Sequence, residues 1–176
     1  MRLEDDEWQR FFDDFEHSVW RLELHPVYTM PQEEENIRRW RSGERLPDAH
    51  WSPWMERVAG YLKGGRAIGR VHVVRRSLSE YLRFEFEWYY RHHVRAGEDI
   101  RILDVTEEAN PELPDHDFWL FDERRVVKML YRPDGTQIGR ELVENPDIDA
   151  YIRWRDMACA GAMPFLDYCT GLGGNA

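Results

Sequence analysis

The stretch from Arg66 to Val143 constrains the fold more than any other part of the chain, because it predicts a β-α-β unit that continues into further strands. Apolar and polar residues alternate over 68–74, which predicts a strand, and the next strand is predicted over 100–105. Between them, the capping box Ser77-Leu78-Ser79-Glu80, with Ser77 as N-cap, opens a helix that Gly97 ends. A unit of this length predicts two parallel strands joined by a right-handed crossover.

The strands after this unit are predicted from their turns. Residues 117–121 and 125–131 indicate a tight hairpin, and Pro133-Asp134-Gly135 indicates a second turn that leads into 137–143. The predicted fold class is therefore α+β. It has a mixed twisted sheet of about five strands, built from the crossover and an antiparallel meander, and the sheet is covered by helices.

Helical patterns flank this core. Apolar residues recur at three- and four-residue spacing up to about Tyr28, which predicts a long first helix, and residues 32–41 predict a second. Pro53 opens a short third helix. Near the other end, Asn145-Pro146 supplies an N-cap and a first-turn proline for a last helix, which Pro164 ends.

A length of 176 residues predicts one domain. Its parts are an N-terminal helical part (1–65), the β-α-β-β-β core (66–143), a C-terminal helix (146–163) and a frayed tail (170–176). Eight tryptophans, eight tyrosines and eight phenylalanines separate the chain from disordered sequences, which are poor in aromatic residues.

The charge of the chain limits its partners. A formal net charge of −10 argues against broad affinity for nucleic acid, because phosphate binding depends on lysine and arginine. The charge is unevenly spread: residues 66–95 hold seven arginines and three glutamates, whereas residues 96–123 hold ten carboxylates and one arginine. A local basic surface is one interpretation. Mutual neutralisation through surface ion pairs is the favoured one.

Cysteine content and hydropathy exclude several classes of protein. Cys159 and Cys169 are too few for a disulfide scaffold or a four-cysteine zinc site. The acidic N-terminus lacks the basic and then apolar pattern of a signal peptide, and no apolar run reaches the ~20 residues that span a bilayer. We therefore expect a cytoplasmic protein with no membrane association, no cofactor and no bound metal.

Rings and histidines in the crossover unit have two interpretations each. The aromatic helix fits core packing better than a groove that stacks bases. His72 and the pair His92-His93 are acid–base or metal-ligand candidates. Neighbouring side chains on a helix point about 100° apart, however, so both members of the pair cannot readily bind one ion.

Acidic residues near the strand ends are candidates for a divalent-cation site in phosphodiester chemistry, although solvated acidic loops are more common. They are Asp104, Glu107, Glu108, Asp115, Asp117 and Asp122. The phosphate loop, the dinucleotide glycine fingerprint and the hydrolase nucleophile elbow are absent from the sequence.

The order of elements resembles half of a phospholipase D-type fold, with a glycine-led strand at 97–103 followed by a histidine-led hairpin strand. The nucleophile motif of that superfamily is histidine, any residue, lysine, four residues and aspartate. Aligning His116 with its histidine puts Phe118 in the lysine position and Glu123 in the aspartate position. The resemblance therefore implies a catalytically dead version.

A closer resemblance covers most of the chain, from about Phe11 to Phe165. It rests on the phrases Phe11-Phe12-Asp13-Asp14-Phe15, Tyr28, Gly69-Arg70-Val71-His72-Val73-Val74, Ser79-Glu80-Tyr81-Leu82, Gly97-Glu98-Asp99-Ile100-Arg101 and Asp117-Phe118-Trp119-Leu120-Phe121-Asp122. These phrases resemble a bacterial family described only as a domain of unknown function. Its members are often encoded beside helix-turn-helix regulators, in pairs that look like toxin–antitoxin or regulator–effector modules. The resemblance implies such a partnership and carries over no catalytic residue.

The leading functional hypothesis is a non-enzymatic interaction or ligand-sensing module that works with a helix-turn-helix DNA-binding regulator. The acidic stretch 96–123 suits a basic protein surface of this or another partner, because opposite potentials speed and orient docking. Formation of a homodimer is left open.

The alternative is a metal-independent, toxin-like ribonuclease in which His72, His92 or His93 acts with Arg70 or Arg75. RNA is the one nucleic acid expected to bind directly, and only in this case. A divalent-metal hydrolase that uses the acidic loops is a third hypothesis.

The predicted binding site lies at strand positions and at the ends of adjacent elements, where clefts open in sheets of this type. The residues predicted to bind a ligand are Arg70, His72, Arg75, Arg101, Asp117, Trp119, Asp122 and Tyr131.

Overall fold

The computed structural model describes residues 1–107 and 111–173, and within them seven strands form one open sheet. In chain order the strands are β1 (Ser18–Glu23), β2 (Ala67–Val74), β3 (Asp99–Asp104), β4 (Asp117–Phe121), β5 (Arg125–Tyr131), β6 (Gln137–Leu142) and β7 (Met163–Pro164). Across the sheet their order is β6-β5-β4-β1-β2-β3-β7. The strands β1, β2 and β3 are parallel neighbours, and every other neighbouring pair is antiparallel. The α+β class is therefore confirmed, with seven strands rather than about five.

Helices cover both faces of this sheet. They are α1 (Asp5–Asp14), α2 (Glu34–Arg41), α3 (Pro53–Lys63), α4 (Glu80–Glu85), α5 (Arg91–Ala96), α6 (Ile148–Gly161) and α7 (Phe165–Gly173). A 3₁₀ turn at Pro31–Glu33 leads into α2, and a π-helical segment at Phe86–Tyr90 joins α4 to α5 in one continuous helix over 80–96. In the two ranges that the structure describes, none of the helices combines the length and the apolar character needed to cross a bilayer.

The predicted crossover is confirmed in its strand direction. Strands β2 and β3 pair in parallel, with Gly69–Val74 opposite Asp99–Asp104. The N-cap of the connecting helix is Ser79, not the predicted Ser77, and its hydroxyl accepts the Leu82 N–H at 3.0 Å. Both serines precede a helical apolar pattern, so local spacing did not separate them.

The N-terminal part departs from the prediction of a helix to Tyr28. Helix α1 ends at Asp14, and β1 enters the middle of the sheet between β4 and β2. Val19 and Leu22 are three residues apart and fit a helical pattern, but the alternation of Trp20 and Leu22 with polar residues fits a strand equally well. Backbone pairing with two neighbouring strands favours the extended conformation. This strand and the short β7 account for the two additional strands.

The C-terminal region also differs from the prediction. Helix α6 begins after Asp147, whose carboxylate accepts the Ala150 N–H, whereas the predicted cap Asn145 lies in a turn with φ of 49°. Beyond Pro164 the chain forms α7 up to Gly173, where a frayed tail was predicted from residue 170. Phe165 and Tyr168 of α7 are buried against rings of the helix 80–96, and this contact stabilises a short helix that its own sequence would not. Residues 174–176 lie outside the described range.

Side chains of the central strands alternate between the two faces of the sheet. Leu22, Val71 and Phe118 pack against α6, and we call this side the α6 face. The opposite side, which we call the cavity face, is covered by α1, α3 and the helix 80–96. Aromatic residues of α1 pack there on Val19 and Trp119.

Candidate ligand-binding site

A cavity of about 780 Å³ lies between the cavity face of the sheet and the helices that cover it. Its floor is formed by the strand residues Arg21, Glu23, Arg70, Trp119 and Tyr131. Its walls come from α1, α3, the chain between β1 and α3, and the helix 80–96. A volume in this range accommodates an organic molecule of metabolite or drug size.

The helix 80–96 contributes an unusual number of side chains to the wall. Those that line the cavity are Tyr81, Glu85, Trp88, Tyr89, Tyr90, His92 and His93. The three consecutive residues 88–90 lie in the π-helical segment, whose wider turn differs from that of an ordinary helix. Such segments occur frequently at functional sites in helices.

A network of buried ion pairs lies along the floor. Glu23 sits between two arginines, with Arg21 Nη1 3.0 Å from its Oε1 and Arg70 Nη1 3.3 Å from its Oε2. Arg70 also donates through Nε to Glu98 Oε1 at 2.6 Å. Burial alone would raise the pKa of Glu23, but Arg21 and Arg70 outweigh it and lower the pKa to about 2. The Glu23 carboxylate is therefore ionised at neutral pH.

His72 is fully buried beside this network. Its Nε2 lies 2.9 Å from the His25 carbonyl oxygen, which can only accept, so Nε2 carries a hydrogen. Its Nδ1 lies 2.9 Å from the Tyr90 hydroxyl, whose single hydrogen is donated to Glu23 at 2.5 Å. Nδ1 must therefore donate as well. Burial alone would lower the pKa of His72, but Glu85 and Glu23 raise it to about 9, which agrees with an imidazolium.

Asp117 holds the chain that follows β1. Its Oδ1 accepts the Leu24 backbone N–H at 2.9 Å, and its Oδ2 accepts the Tyr28 hydroxyl at 2.5 Å. Arg21 Nη2 lies 3.8 Å from the same Oδ2 and donates to the Tyr131 hydroxyl at 3.1 Å. These bonds keep the rings of Tyr28 and Tyr131 in fixed positions on the cavity wall.

Glu33 and Glu85 are less well compensated than Glu23. Glu33 Oε2 accepts the Tyr81 hydroxyl at 3.0 Å, and no cationic side chain of residues 1–107 or 111–173 lies within 4.0 Å of its carboxylate. Glu85 Oε2 lies 3.3 Å from His72 Nδ1, close enough for an ion pair but outside hydrogen-bond geometry. Burial and the nearby Glu85 charge raise the pKa of Glu33 to about 7, and burial raises the pKa of Glu85.

Several buried polar atoms around the cavity lack a hydrogen-bond partner in the part of the chain that the structure describes. They are Arg21 Nε, Glu85 Oε2, Trp88 Nε1, His92 Nδ1, His93 Nδ1, Trp119 Nε1 and Arg140 Nε. An unpaired buried donor or acceptor costs about 1–3 kcal/mol, so native structures retain few of them. These seven atoms all belong to residues that line the same cavity.

The structure brings together five of the eight residues predicted for a binding site. Arg70, Trp119 and Tyr131 line the cavity. His72 and Asp117 belong to the hydrogen-bonded network that supports it. Their role in binding a ligand stays a prediction.

The other three predicted residues lie away from the cavity. Arg75 follows β2 and donates to a backbone carbonyl at the end of β3 at 2.8 Å. Arg101 pairs with Val71 across the sheet, so its side chain projects on the α6 face. Asp122 accepts three backbone N–H groups from residues 16–18 at 2.7 to 3.0 Å and thereby holds the start of β1.

The two helical histidines line the cavity as neutral groups. The His92 ring packs edge-on against His50, with 5.2 Å between centroids, and His93 Nδ1 lies 3.5 Å from Glu98 Oε2. Burial lowers the pKa of His92 and lowers that of His93 to about 4. Both imidazoles are therefore uncharged at neutral pH.

Arg21, Glu23, Tyr28 and Glu85 form much of the site but were not predicted as site residues. Arg21 and Glu23 lay within the helix predicted to about Tyr28, where charged residues are ordinary. Their alternation with Trp20 in a short run was the available signal, because charges at every second position of a central strand must be buried on one face.

Glu23, His72 and Glu85 are close enough to ligate one metal ion, with His72 Nδ1 3.8 Å from Glu23 and 3.3 Å from Glu85. A metal would need a deprotonated Nδ1 on His72, whereas the hydrogen bonds of Tyr90 indicate that this Nδ1 carries a hydrogen. Arg21 and Arg70 already compensate the Glu23 charge. The cluster therefore has the chemistry of an ion-pair network rather than of a metal centre.

The acidic residues considered for a cation site at strand ends have separate roles. Asp104 accepts the Tyr168 hydroxyl at 2.8 Å, Asp117 is buried below the cavity, and Asp122 binds backbone groups at the start of β1. Asp117 begins β4 and Asp122 directly follows its last residue, so the two carboxylates stand at opposite ends of this strand. Glu108 lies outside the described residues.

Comparison with known proteins gives a family but no activity. A family model described as a domain of unknown function (DUF6879) matches residues 6–170. The chain belongs to this family. The match includes the whole sheet and every side chain of the buried network. No curated protein matches the chain. The family description assigns no reaction.

Proposed function

We propose that the protein is a non-enzymatic ligand-sensing module that binds a small polar organic molecule in the cavity and works with a helix-turn-helix DNA-binding regulator. The observation that carries this proposal is the group of unpaired buried polar atoms around the cavity. A ligand that paired with some of them, after small movements of their side chains, would recover about 1–3 kcal/mol for each hydrogen bond formed. The aromatic walls would add apolar contact area.

The state of the charged groups supports binding rather than turnover. Arg21, Glu23 and Arg70 are held to one another by short ion pairs, so their charges are not free to act on a reacting group. Both ring nitrogens of His72 are engaged in hydrogen bonds. Side chains held in this way keep the shape and polarity of a site, which is what selective binding requires.

A direct test is a thermal-shift screen of small polar aromatic compounds, repeated with a variant that fills the cavity. Asn36 lines the cavity and donates to the Tyr89 hydroxyl, so Asn36→Trp places a large ring in the binding volume. Glu35→Trp changes the exposed neighbouring position and is the matched control. A ligand at one hundred times its Kd should stabilise the wild type and the control by about 2.7 kcal/mol and the Asn36→Trp variant by much less. The absence of any stabilising compound, or equal stabilisation of both variants, would contradict the proposal.

The regulator part of the proposal is supported by the exposed acidic surface. Within the acidic stretch 96–123, Asp99, Glu112, Asp115 and Glu123 are exposed. Asp99, Asp115 and Glu123 already contact Arg101, His116 and Arg155, so a basic partner would compete with these surface contacts. Titration with a helix-turn-helix regulator as the proposed partner should show binding that weakens as salt is added, because salt screens charge. Undetectable binding, or binding that salt leaves unchanged, would argue against this partner.

The ribonuclease alternative stays a prediction, supported by the position of His92 and His93 as neutral imidazoles on the cavity wall. A neutral imidazole can accept a proton from a ribose hydroxyl. Single-stranded RNA should be cleaved by the wild type and spared by the His92→Ala/His93→Ala double variant. Equal activity in both proteins would end this assignment. The phospholipase D-like relationship likewise stays a prediction.

A further inference from the structure

One wall of the cavity combines aromatic rings with the two poorly compensated carboxylates. The rings are Tyr28, Tyr81, Trp88 and Tyr89, and the carboxylates are Glu33 and Glu85. Tyr28 and Tyr81 meet edge to face with 5.9 Å between centroids, and the Tyr81 hydroxyl donates to Glu33. Rings present a negative face to cations. Arg21 already lies over Tyr28 and Arg39 over Trp88, with 5.4 and 5.3 Å from Cζ to the ring centroid, so Tyr81 and Tyr89 are the rings that act together with the carboxylates on a ligand.

The charges of the cavity are balanced everywhere except at this wall. Each arginine that lines it has a carboxylate partner: Arg21 with Glu23, Arg39 with Glu44, Arg57 with Asp13, Arg70 with Glu98 and Arg140 with Asp5. Glu33 has no cationic partner within 4.0 Å among the described residues. Glu85 shares the His72 imidazolium with Glu23. An unpaired anion in a partly desolvated site favours a positively charged ligand.

The buried carboxylate provides a second and independent indication. Glu85 is only 5% exposed, lines the cavity, and its Oε2 has no hydrogen-bond donor in the described residues. The unpaired N–H groups of the cavity do not call for an anion. Trp88 and Trp119 supply neutral indoles, and Arg21 supplies one N–H of a guanidinium whose charge is already paired. Such donors suit a neutral acceptor on the body of a ligand.

We infer that the cavity binds an organic ammonium ion, with the charged head near Glu33 and Glu85 and the apolar body against Tyr81, Trp88 and Tyr89. This inference rests on the proposed ligand-binding function and specifies the chemical class of the ligand. A carboxylate pairs with the ammonium charge, while aromatic side chains attract cations and cover the apolar body of the ligand.

Three probes with one phenyl body and different heads test the sign of the charge. They are 2-phenylethylammonium, the neutral 2-phenylethanol and the anionic 3-phenylpropionate, each titrated into the full-length protein by isothermal calorimetry. The ammonium should bind about tenfold more tightly than the alcohol, a difference of about 1.4 kcal/mol. The propionate should bind more weakly than either.

The position of the charged head is tested with two variants that remove the same charge. Glu33→Gln should weaken binding of 2-phenylethylammonium by about tenfold and leave binding of 2-phenylethanol unchanged within about twofold. Glu34→Gln changes the exposed neighbouring carboxylate and should leave both affinities as in the wild type. Because Glu33 is at the edge of the cavity and only partly buried, its amide variant is expected to fold.

The outcomes separate this inference from the function on which it rests. Equal or tighter binding of the alcohol or the propionate would overturn the ammonium assignment and leave a ligand-binding cavity in place. Ammonium binding that Glu33→Gln does not weaken would overturn the placement of the head. Failure of all three probes would overturn the inference, and the compound screen with Asn36→Trp would then decide whether the cavity binds anything.

Discussion

The two faces of the sheet are built in opposite ways from the same strands. On the α6 face, Leu22 and Phe118 pack against α6 in an apolar layer. The neighbouring residues, Glu23 in β1 and Asp117 in β4, project on the cavity face. Both are buried and ionisable. Because side chains alternate across a sheet, a central strand such as β1 supplies both environments.

The contrast between the two faces distinguishes residues needed for the stability of the sheet from residues that form the cavity. Apolar packing like that between the sheet and α6 is sufficient to stabilise a sheet of this size. Replacing a buried ion-pair network with apolar residues is often neutral or stabilising by about 1–4 kcal/mol, so stability alone does not explain the cavity face. The charged face instead places fixed polarity around a cavity, as the proposed binding function requires.

The largest expected effect comes from breaking the network at its centre. Glu23→Gln leaves Arg21 and Arg70 buried against a neutral amide and should lower the free energy of unfolding by about 3–5 kcal/mol at pH 7. Urea denaturation followed by tryptophan fluorescence measures this loss. A loss below about 1 kcal/mol would show that the network is not energetically coupled.

The matched substitution on the other face is Leu22→Ala, which should cost about 2–5 kcal/mol through a cavity in the apolar layer. The two losses differ in their dependence on pH. The pKa of Glu23 is lowered from 4.5 to about 2, so its contribution is present above pH 4.5 and disappears as the pH falls towards 2. The deficit of Glu23→Gln should therefore shrink in acid, whereas the deficit of Leu22→Ala should not.

A second effect of similar size is the loss of stability in alkali through His72. Its pKa is raised from 6.5 to about 9 in the folded protein, so the folded state binds the proton more tightly. The resulting stabilisation is complete below pH 6.5 and is lost as the pH rises through 9, by about 3 kcal/mol at about 1.4 kcal/mol per pKa unit.

Ring ¹⁵N chemical shifts measure the His72 proton without relying on unfolding. Both ring nitrogens should carry hydrogen at pH 7 and one should lose it near pH 9. A neutral ring at pH 7 would overturn the hydrogen-bond assignment and the alkaline trend with it.

The smallest effect concerns the ligand and is specific to the cavity face. Burial, Glu85 and Glu23 raise the pKa of Glu33, whereas Tyr81 and Arg21 lower it. The net result for Glu33 is a pKa of about 7. Its carboxylate therefore ionises as the pH rises through 7. Affinity for 2-phenylethylammonium should rise by several-fold between pH 6 and 8 in the wild type and stay flat in Glu33→Gln. A parallel rise in the variant would assign the titration to another group.

Local signals predicted much of the framework. The turn at Pro133-Asp134-Gly135, the hairpin of β4 and β5, and the left-handed Gly97 at the end of α5 all depend on residues within a few positions of one another. Local spacing was less reliable at helix starts, where Ser79 rather than Ser77 caps the helix. It was wrong for β1, whose extended conformation depends on its partners.

Some residues of the site could be predicted from the sequence, but the buried charges that make up much of it could not. Arg70, His72, Asp117, Trp119 and Tyr131 were singled out because they occupy strand positions or ends, and alternation places strand residues on definite faces. Arg101 was included on the same grounds and lies on the α6 face. Which face would be charged could not be predicted until β1 was known to be a strand.

The parallel crossover and the antiparallel meander could be predicted from the sequence, because hydrophobic periodicity and turn chemistry act over short distances along the chain. The position of β1 in the centre of the sheet, and the burial of its charges, became known only from the folded structure. Glu23 meets Arg70 across 47 positions, and Tyr28 meets Asp117 across 89. Burial and ion pairing depend on such distant neighbours, and no local pattern specifies them.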